Sequence, residues 1–432
     1  MHPTTSQRYT DRVRRKKNRD LFHEPFWGKI QRKFESVVRQ TLYRFLRSFF
    51  HNKSLEKKIN IREMRSILIV PYGDAIGDLI AATPIWHAIK RRAPNCRIGV
   101  FTSPRNESLV QRDPDIDHTY SFSGRRNLNQ WPALRRAKKD EYEVLLNLHL
   151  THQTDYGIFA NLIAPAGIKI TGAHPRRSLY NIFFNYIGQR DRHTTNLPHY
   201  SLELLAEAVA FDPPLTLSDC RPRLVIPLSA ATAVEARTKD IGDFVVLHLQ
   251  AATPFREWGI DNALRLARQL LFEMPRLTVL LTGSPLYLSP FEHRISSEND
   301  SRIRTFESEN LLELAALIGR ASLVVSPETS IPHFASAMQT PVVVLLPDRD
   351  KLPVEWLPVA TTSRLLAPAT RGEPVATIPV ENVFDAVRSI LNGSWTQTQT
   401  SLDLSEEPLP SFQRIHGNAP LSDFTNTFDP KT

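Results

Sequence analysis

Apolar and polar positions along this chain recur at two periods in turn. Ile67 to Val70 form a short, mostly β-branched apolar run, the pattern of a parallel strand covered on both faces. A polar turn bearing Gly73 and Gly77 follows. Leu79, Ile80, Thr83, Trp86, His87 and Ile89 then recur at helical spacing, with Lys90, Arg91 and Arg92 just before Pro94, where a helix dipole favours cations. Cys96 to Thr102 and Glu143 to Leu150 predict two further strands; between them, 112–122 predicts a short strand and 125–142 an exposed basic helix. His199 to Pro214 reads as a helix ending at a Pro-Pro break, and Pro222 to Asp240 as the crossing into a second half. There the alternation repeats: strands at Phe244–Gln250, Leu277–Ser284, Ala321–Ser326 and Pro341–Pro347, helices at Asp261–Met274 and Leu311–Ala321, a helix start at Ile331, and a closing helix within Val375–Gly393. Strands alternating with helices imply parallel sheets with right-handed crossovers. The expected fold class is α/β: two Rossmann-like doubly wound domains, over 65–222 and 223–395, facing a cleft.

Ahead of these domains the pattern changes. Trp27, Ile30, Phe34, Val37, Val38, Leu42, Phe45, Leu46 and Phe49 share one helix face, with Lys29, Arg32, Lys33, Arg39, Arg44 and Arg47 largely between them. Together with the cationic run Arg12–Arg19, this makes residues 1–64 a basic amphipathic arm. Such a helix lies flat on an anionic membrane surface, here through residues 12–50. The competing reading packs it on its own protein or a second subunit. A nucleic-acid partner is not expected, because no recognition motif accompanies the charge. Residues 396–432 are rich in Ser, Thr, Pro and Gln without periodicity and are expected to be disordered.

Composition adds limits. At 432 residues the chain exceeds one core, and 41% hydrophobic residues suit a globular protein. The net charge of +9 is localised: residues 1–60 hold sixteen Lys and Arg against five acids, leaving the remainder at about −2. The body therefore need not bind polyanions. Two cysteines, Cys96 and Cys220, make no disulfide framework and point to a reducing compartment. No apolar run reaches the roughly 18 residues that span a bilayer, and the polar, basic start argues against secretion. The expected location is the cytoplasm, at the inner face of the cytoplasmic membrane.

Candidate chemistry gathers at strand ends. Asp78 stands at the turn into the first helix, where an Asp is either an N-cap or a carboxylate placed for general-base work. The turn lacks the G-x-G-x-x-G of dinucleotide folds, and no H-x-x-x-H or H-E-x-x-H spacing suggests a metal. His149, His152 and His174 taken singly read as surface or turn histidines. The polar stretch 151–198 carries segments suited to acceptor-binding loops.

Three segments in order carry a family resemblance: PYGDAIGDLIAATPIWHAIKRRAP (71–94), LHLQAATPFREW (247–258) and SPETSIPHFASAMQTPVVVLLP (326–347). They resemble the I-G-D turn followed by T-P, the donor-loop segment, and the D-T-G-x-x-H strand–helix–strand of glycosyltransferase family 9, the heptosyltransferase family of lipopolysaccharide core assembly. The resemblance covers about residues 65–395. It implies an inverting, metal-independent, cofactor-free GT-B glycosyltransferase moving a sugar such as heptose from a nucleotide donor, as in ADP-heptose, to a lipid-linked saccharide. Carried over by position, Asp78 matches the catalytic base. Arg256, Glu328, Thr329, Ser330 and His333 match donor-binding positions, with Thr253 and Gly283 beside them. Gly77, His152 and Arg176 are assigned to the acceptor side. Two residues depart from the pattern: Glu328 replaces Asp and Ser330 replaces Gly, which adds a Cβ where backbone should approach phosphate. Glu328 also has a plainer reading as a helix-capping acid. The alternative function is a non-catalytic nucleotide-sugar-binding protein of the same fold.

Overall fold

The computed structural model describes residues 41, 45–50, 52–122, 131–149, 153–172, 180–190, 192–348, 354–359 and 361–393. Two six-stranded sheets, parallel throughout, carry the fold. The first comprises β1 (Ser66–Val70), β2 (Arg97–Thr102), β3 (His118–Ser121), β4 (Val144–Asn147), β5 (Ile168–Thr171) and β6 (Tyr186–Ile187), in the order β3-β2-β1-β4-β5-β6. The second comprises β7 (Phe244–His248), β8 (Thr278–Thr282), β9 (Ile303–Thr305), β10 (Leu323–Pro327), β11 (Val342–Leu345) and β12 (Ser363–Leu366), in the order β9-β8-β7-β10-β11-β12. Both orders reverse beside the first strand laid down, at β1/β4 and at β7/β10. Loops leaving the carboxyl ends diverge there and open a crevice.

The longer helices are α1 (Ile76–Arg92), α2 (Trp131–Lys139), α3 (Gln153–Ile163), α4 (Leu197–Ala208), α5 (Leu228–Thr238), α6 (Ile260–Glu273), α7 (Leu311–Arg320), α8 (Ile331–Met338) and α9 (Val380–Leu391). The predicted strand–turn–helix over 67–92 forms as β1 and α1. Four strands escape the sequence pattern. β6 and β9 are very short, β12 alternates around Arg364, and β5 carries the buried Lys169. That ammonium is held by Asn52 Oδ1 at 2.9 Å and the carbonyls of Gly167 and Pro165 at 2.8 and 3.2 Å, which offsets the cost of burying it.

Helix α1 explains its own T-P pair. Pro84 lies inside the helix and has no N–H for the carbonyl of Ile80. Thr83 Oγ1 donates to that oxygen instead (2.8 Å), and accepts from the backbone N–H of Arg223 (3.0 Å) in the segment crossing to the second sheet. One apolar cluster continues from Ile67 and Ile69 through Trp86 and Ile89 to Phe334, Val246 and Val324. The two halves therefore share buried surface, with α1 packed against α8.

The helix predicted for the arm lies outside the described residues except at its end. There Leu46 and Phe50 pack on the first half, the Phe50 ring 5.4 Å from that of Phe183. Asn52 bonds Asn161 and the carbonyl of Ile182, and Ile59–Asn60 pairs with Val209–Ala210. The chain from Leu46 onward is thus tied to the first half. The predicted tail, 396–432, also lies outside the described residues.

Candidate active site between the two sheets

A cleft of about 730 Å³ lies where α1 of the first half faces β7, β10 and α8 of the second. Ala75, Ile76, Gly77 and Asp78 form one wall with Arg105; His248, Arg256, Glu328, Thr329, Ser330 and His333 form the polar part of the other. Val344, Leu346, Trp356 and Leu365 add an apolar flank. Of the residues singled out in the sequence, Asp78, Gly77, Arg256, Glu328, Thr329, Ser330 and His333 come together here. Thr253 and Gly283 lie outside this lining. A Cβ on Gly283 would meet Tyr287 and Leu288, at 3.1 and 3.3 Å. His152 and Arg176 lie outside the described residues.

Asp78 is not a cap. The N-cap of α1 is Ala75, which offers no side-chain acceptor, and Asp78 sits three residues in, 9% exposed, with its N–H bonded to the Ala75 carbonyl at 3.1 Å. Its carboxylate lies where a Cβ on Gly73 would fall 2.6 Å from Oδ2. Gly73 is therefore needed for a close approach. The next glycine works across the cleft: a Cβ on Gly77 would fall 2.5 Å from Cδ2 of His333. Gly77 is thus the point where α1 meets the second half. Gly77→Ala is expected to cost about 1–3 kcal/mol in overpacking, measured as a lower midpoint in urea; an unchanged midpoint would mean that the His333 ring swings aside freely.

Glu328 is not a helix cap either. Ser330 occupies the N-cap position of α8, and Thr329 Oγ1 accepts from the N–H of Ile331 at 3.2 Å. Glu328 Oε2 instead meets Arg256 Nη2 at 2.5 Å. The two family departures also resolve locally. At Ser330 the backbone is right-handed, φ −73°, so its conformation does not demand glycine; Glu328 has the reach to hold Arg256 across the β7–β10 gap. The Nε of Arg256 is buried without a protein partner. Trp258, two residues on, is core: its indole N–H donates to the Ile378 carbonyl at 2.9 Å.

Burial pushes the imidazoles of His333 and His248 down to about 4, so both are neutral at pH 7. They offer hydrogen bonds without charge. His333 meets the Trp356 ring edge-on, centroids 6.0 Å apart. Cationic character in the lining comes from Arg105 and Arg256 and from the N-termini of α1 and α8, neither closed by the side chain of its N-cap residue. Two helix N-termini aimed at one space favour an anion there. Arg105, His248 and Trp356 were missed by the sequence reading. Arg105 and His248 had a signal, each a polar residue at or just past the carboxyl end of a strand, β2 and β7; Trp356 did not.

Residues 224–366 match the sequence profile of glycosyltransferase family 9 (heptosyltransferase). Lipopolysaccharide heptosyltransferase 3 of Escherichia coli K12 is 23% identical over 300 residues, spanning 65% of this chain and 82% of that protein. The second half of the chain is thus similar to glycosyltransferase family 9. Solved family 9 structures share its fold. The family 9 glycosyl transferase of Veillonella parvula superposes with a TM-score of 0.64 at 17% identity, covering 76% of this chain and 97% of that one. E. coli ADP-heptose lps heptosyltransferase II gives 0.59 at 16%, covering 76% and 99%. E. coli heptosyltransferase WaaC with ADP gives 0.58 at 13%, covering 75% and 97%.

Proposed function

We propose that this chain is a family 9 glycosyltransferase that moves a heptose from ADP-heptose to a lipid-linked saccharide such as lipopolysaccharide core, with inversion and without a metal or cofactor. The observation that carries the reading is the position of Asp78 at the mouth between the halves, facing Thr329, His333 and Arg256. In this mechanism an acceptor hydroxyl attacks the anomeric carbon from the face opposite the nucleotide. The O–H proton passes to the Asp78 carboxylate, the new C–O bond forms, and the bond to the diphosphate breaks with its electrons leaving on phosphate oxygen. Arg256, Arg105 and the N-terminus of α8 meet the charge that develops there. Thr329 and His333 supply neutral hydrogen bonds, and the Trp356 side of the cleft takes the base.

Heptose and ADP rest on the relatives: an E. coli heptosyltransferase 3, and WaaC solved with ADP and with ADP-2-deoxy-2-fluoro heptose. The non-catalytic alternative is not favoured, since the carboxylate and the donor-side residues share one cleft. The test incubates the protein with ADP-, GDP- and UDP-sugars and a bacterial membrane-lipid extract. Acceptor-dependent release of ADP is the expected result; release of no nucleotide from any pair would overturn the reading.

We further propose that residues 12–50 hold the enzyme on the anionic cytoplasmic face of the membrane, beside its acceptor. Phe45 and Phe49 support this, at 62% and 64% exposed with ring centroids 4.9 Å apart. Among the described residues no helix is long and apolar enough to cross a membrane. Because the chain from Leu46 onward is part of the first half, the informative truncation removes residues 1–40. Combined with Phe45→Ser and Phe49→Ser, it is expected to abolish co-sedimentation with phosphatidylglycerol vesicles, and a protein so changed that still pellets would refute the arm's role.

A further inference from the structure

Away from the cleft, the later turns of α1 meet the segment joining β2 to β3 through side chains that the transfer chemistry does not use. His87 of α1 lies there with Asp113 and Asp115 of that segment, their possible ligand atoms all within 4.8 Å of one another. Asp113 is buried, its side chain 2% exposed. Its Oδ2 accepts from the Trp86 indole N–H at 2.9 Å, and its Oδ1 from the Asp115 backbone N–H at 3.0 Å. Both donors are neutral, whereas buried charges are paired or coordinate metals. A second lone pair on Oδ2 remains for a cation.

The two nitrogens of His87 say which cation fits. Nδ1 lies 2.6 Å from Asp115 Oδ2. An ionised carboxylate only accepts, so Nδ1 carries the proton of that bond. Nε2 is buried and makes no hydrogen bond, and it faces Asp113 Oδ2 at 3.5 Å. A charge-assisted N–H···O bond would draw those two atoms to about 2.7–2.9 Å. Two ligands each ~2.1 Å from a tetrahedral zinc ion lie about 3.4 Å apart. The observed gap is therefore that of a coordination edge. Asp115 supplies the usual companion feature: a metal-bound imidazole donates its other N–H to a carboxylate, which fixes the ring. Imidazole beside carboxylate suits zinc and related transition ions, whereas calcium and magnesium take oxygen ligands. The Asp115 side chain is 32% exposed, so the group borders solvent on that side.

We propose that His87 Nε2 and Asp113 Oδ2 ligate a divalent ion of the zinc class, with Asp115 orienting the imidazole and water completing the coordination. The ion ties α1 to the segment that follows β2. His87 lies about 14 Å from Asp78 along the helix, at ~1.5 Å per residue, so the ion takes no part in sugar transfer. The proposal stands or falls independently of the transfer reading.

The test uses the full-length protein, stripped of metal with a chelator, and Zn²⁺ alone as the probe. Titration calorimetry at pH 7 is expected to show a binding event that His87→Gln and Asp113→Asn each remove. Saturating Zn²⁺ is expected to raise the thermal midpoint of the parent by about 2–4 °C, and to leave that of His87→Gln unmoved. Co²⁺ in its place is expected to give the visible absorption of a four-coordinate ion in the parent and not in His87→Gln. Asp115→Asn keeps both ligands and loses only the orienting carboxylate, so it is expected to weaken binding about 10–100-fold. Mg²⁺ and Ca²⁺ at the same concentration are expected to leave the midpoint where it is. No Zn²⁺ binding by the parent, or the same isotherm in parent and His87→Gln, would overturn the proposal. So would a metal-free midpoint that falls as pH rises through the histidine range and that Zn²⁺ does not move, since a proton would then fill the gap between Nε2 and Asp113. Should Asp113→Asn fail to fold, the calorimetric and Co²⁺ comparisons of His87→Gln with the parent decide the outcome.

Discussion

Asp78→Asn is expected to lower turnover by about 10²–10⁴-fold, the range that a positioned general base contributes, while ADP binding measured by titration calorimetry stays nearly intact. The amide is isosteric, so the close approach to Gly73 and the packing of α1 against α8 persist. What is lost is the ability to take a proton as the acceptor oxygen attacks. A smaller prediction separates this from a packing effect. Asp78→Glu keeps a base but pushes it into the space that glycine at 73 leaves open, so it should recover only part of the rate. Turnover of Asp78→Asn within a few-fold of the parent would remove this carboxylate from the mechanism.

Asp219→Ala is expected to destabilise the fold by about 3–5 kcal/mol, the usual result of leaving one member of a buried ion pair alone. Asp219 accepts from both terminal nitrogens of Arg92, at 3.1 and 2.8 Å, and from the Thr216 N–H at 2.8 Å, with Arg91 at 3.0 Å on its outer side. Arg92 is the last residue of α1 and also donates to the carbonyls of Pro213 and Pro214. The pair therefore fastens the far end of the helix that carries Asp78 to the segment leading out of the first half. Burial opposes ionisation of Asp219, but the bonds from Arg92 and Thr216 and the charges of Arg92 and Arg91 outweigh it, so its carboxyl sits below the ordinary 3.8. The sign follows from proton binding. Between the two values the unfolded chain binds more protons, so this stabilisation is complete above the ordinary value and is lost as pH falls through the folded one. Urea midpoints measured from pH 7 down to pH 3 should therefore converge for parent and variant at the acid end. Parallel curves would deny the pair its role.

How much of this was legible beforehand depends on the range of each interaction. β1 and α1 were readable because strand and helix periods are local properties of Ile67–Arg92. That Arg256, Glu328, Thr329, Ser330 and His333 would gather in one place was readable because their spacing from β7 and β10 resembles a family pattern. The roles within that set were not. Asp78 and Glu328 both stood near helix starts, where capping was an equally good local account, and only coordinates put Ala75 and Ser330 at the caps and gave Glu328 to Arg256. β5 was hidden by Lys169, a residue whose polarity argues for a loop until three carbonyl oxygens are seen around its ammonium.

The sequence by itself determined the α/β alternation, the position of the carboxylate at a strand-to-helix turn, and the confinement of the positive charge to the first 60 residues, since each is set by neighbours along the chain. Tertiary structure alone decided that Gly77 touches His333 across the cleft and that Arg105 lines the same cleft as Arg256. It also decided that Thr102, Ser103 and Asn106 share a cleft with Tyr156 and Phe159. Those contacts join residues far apart in sequence through the sheet order β3-β2-β1-β4-β5-β6 and its repeat. Strand order is fixed by which buried faces pack together, and no local period records it.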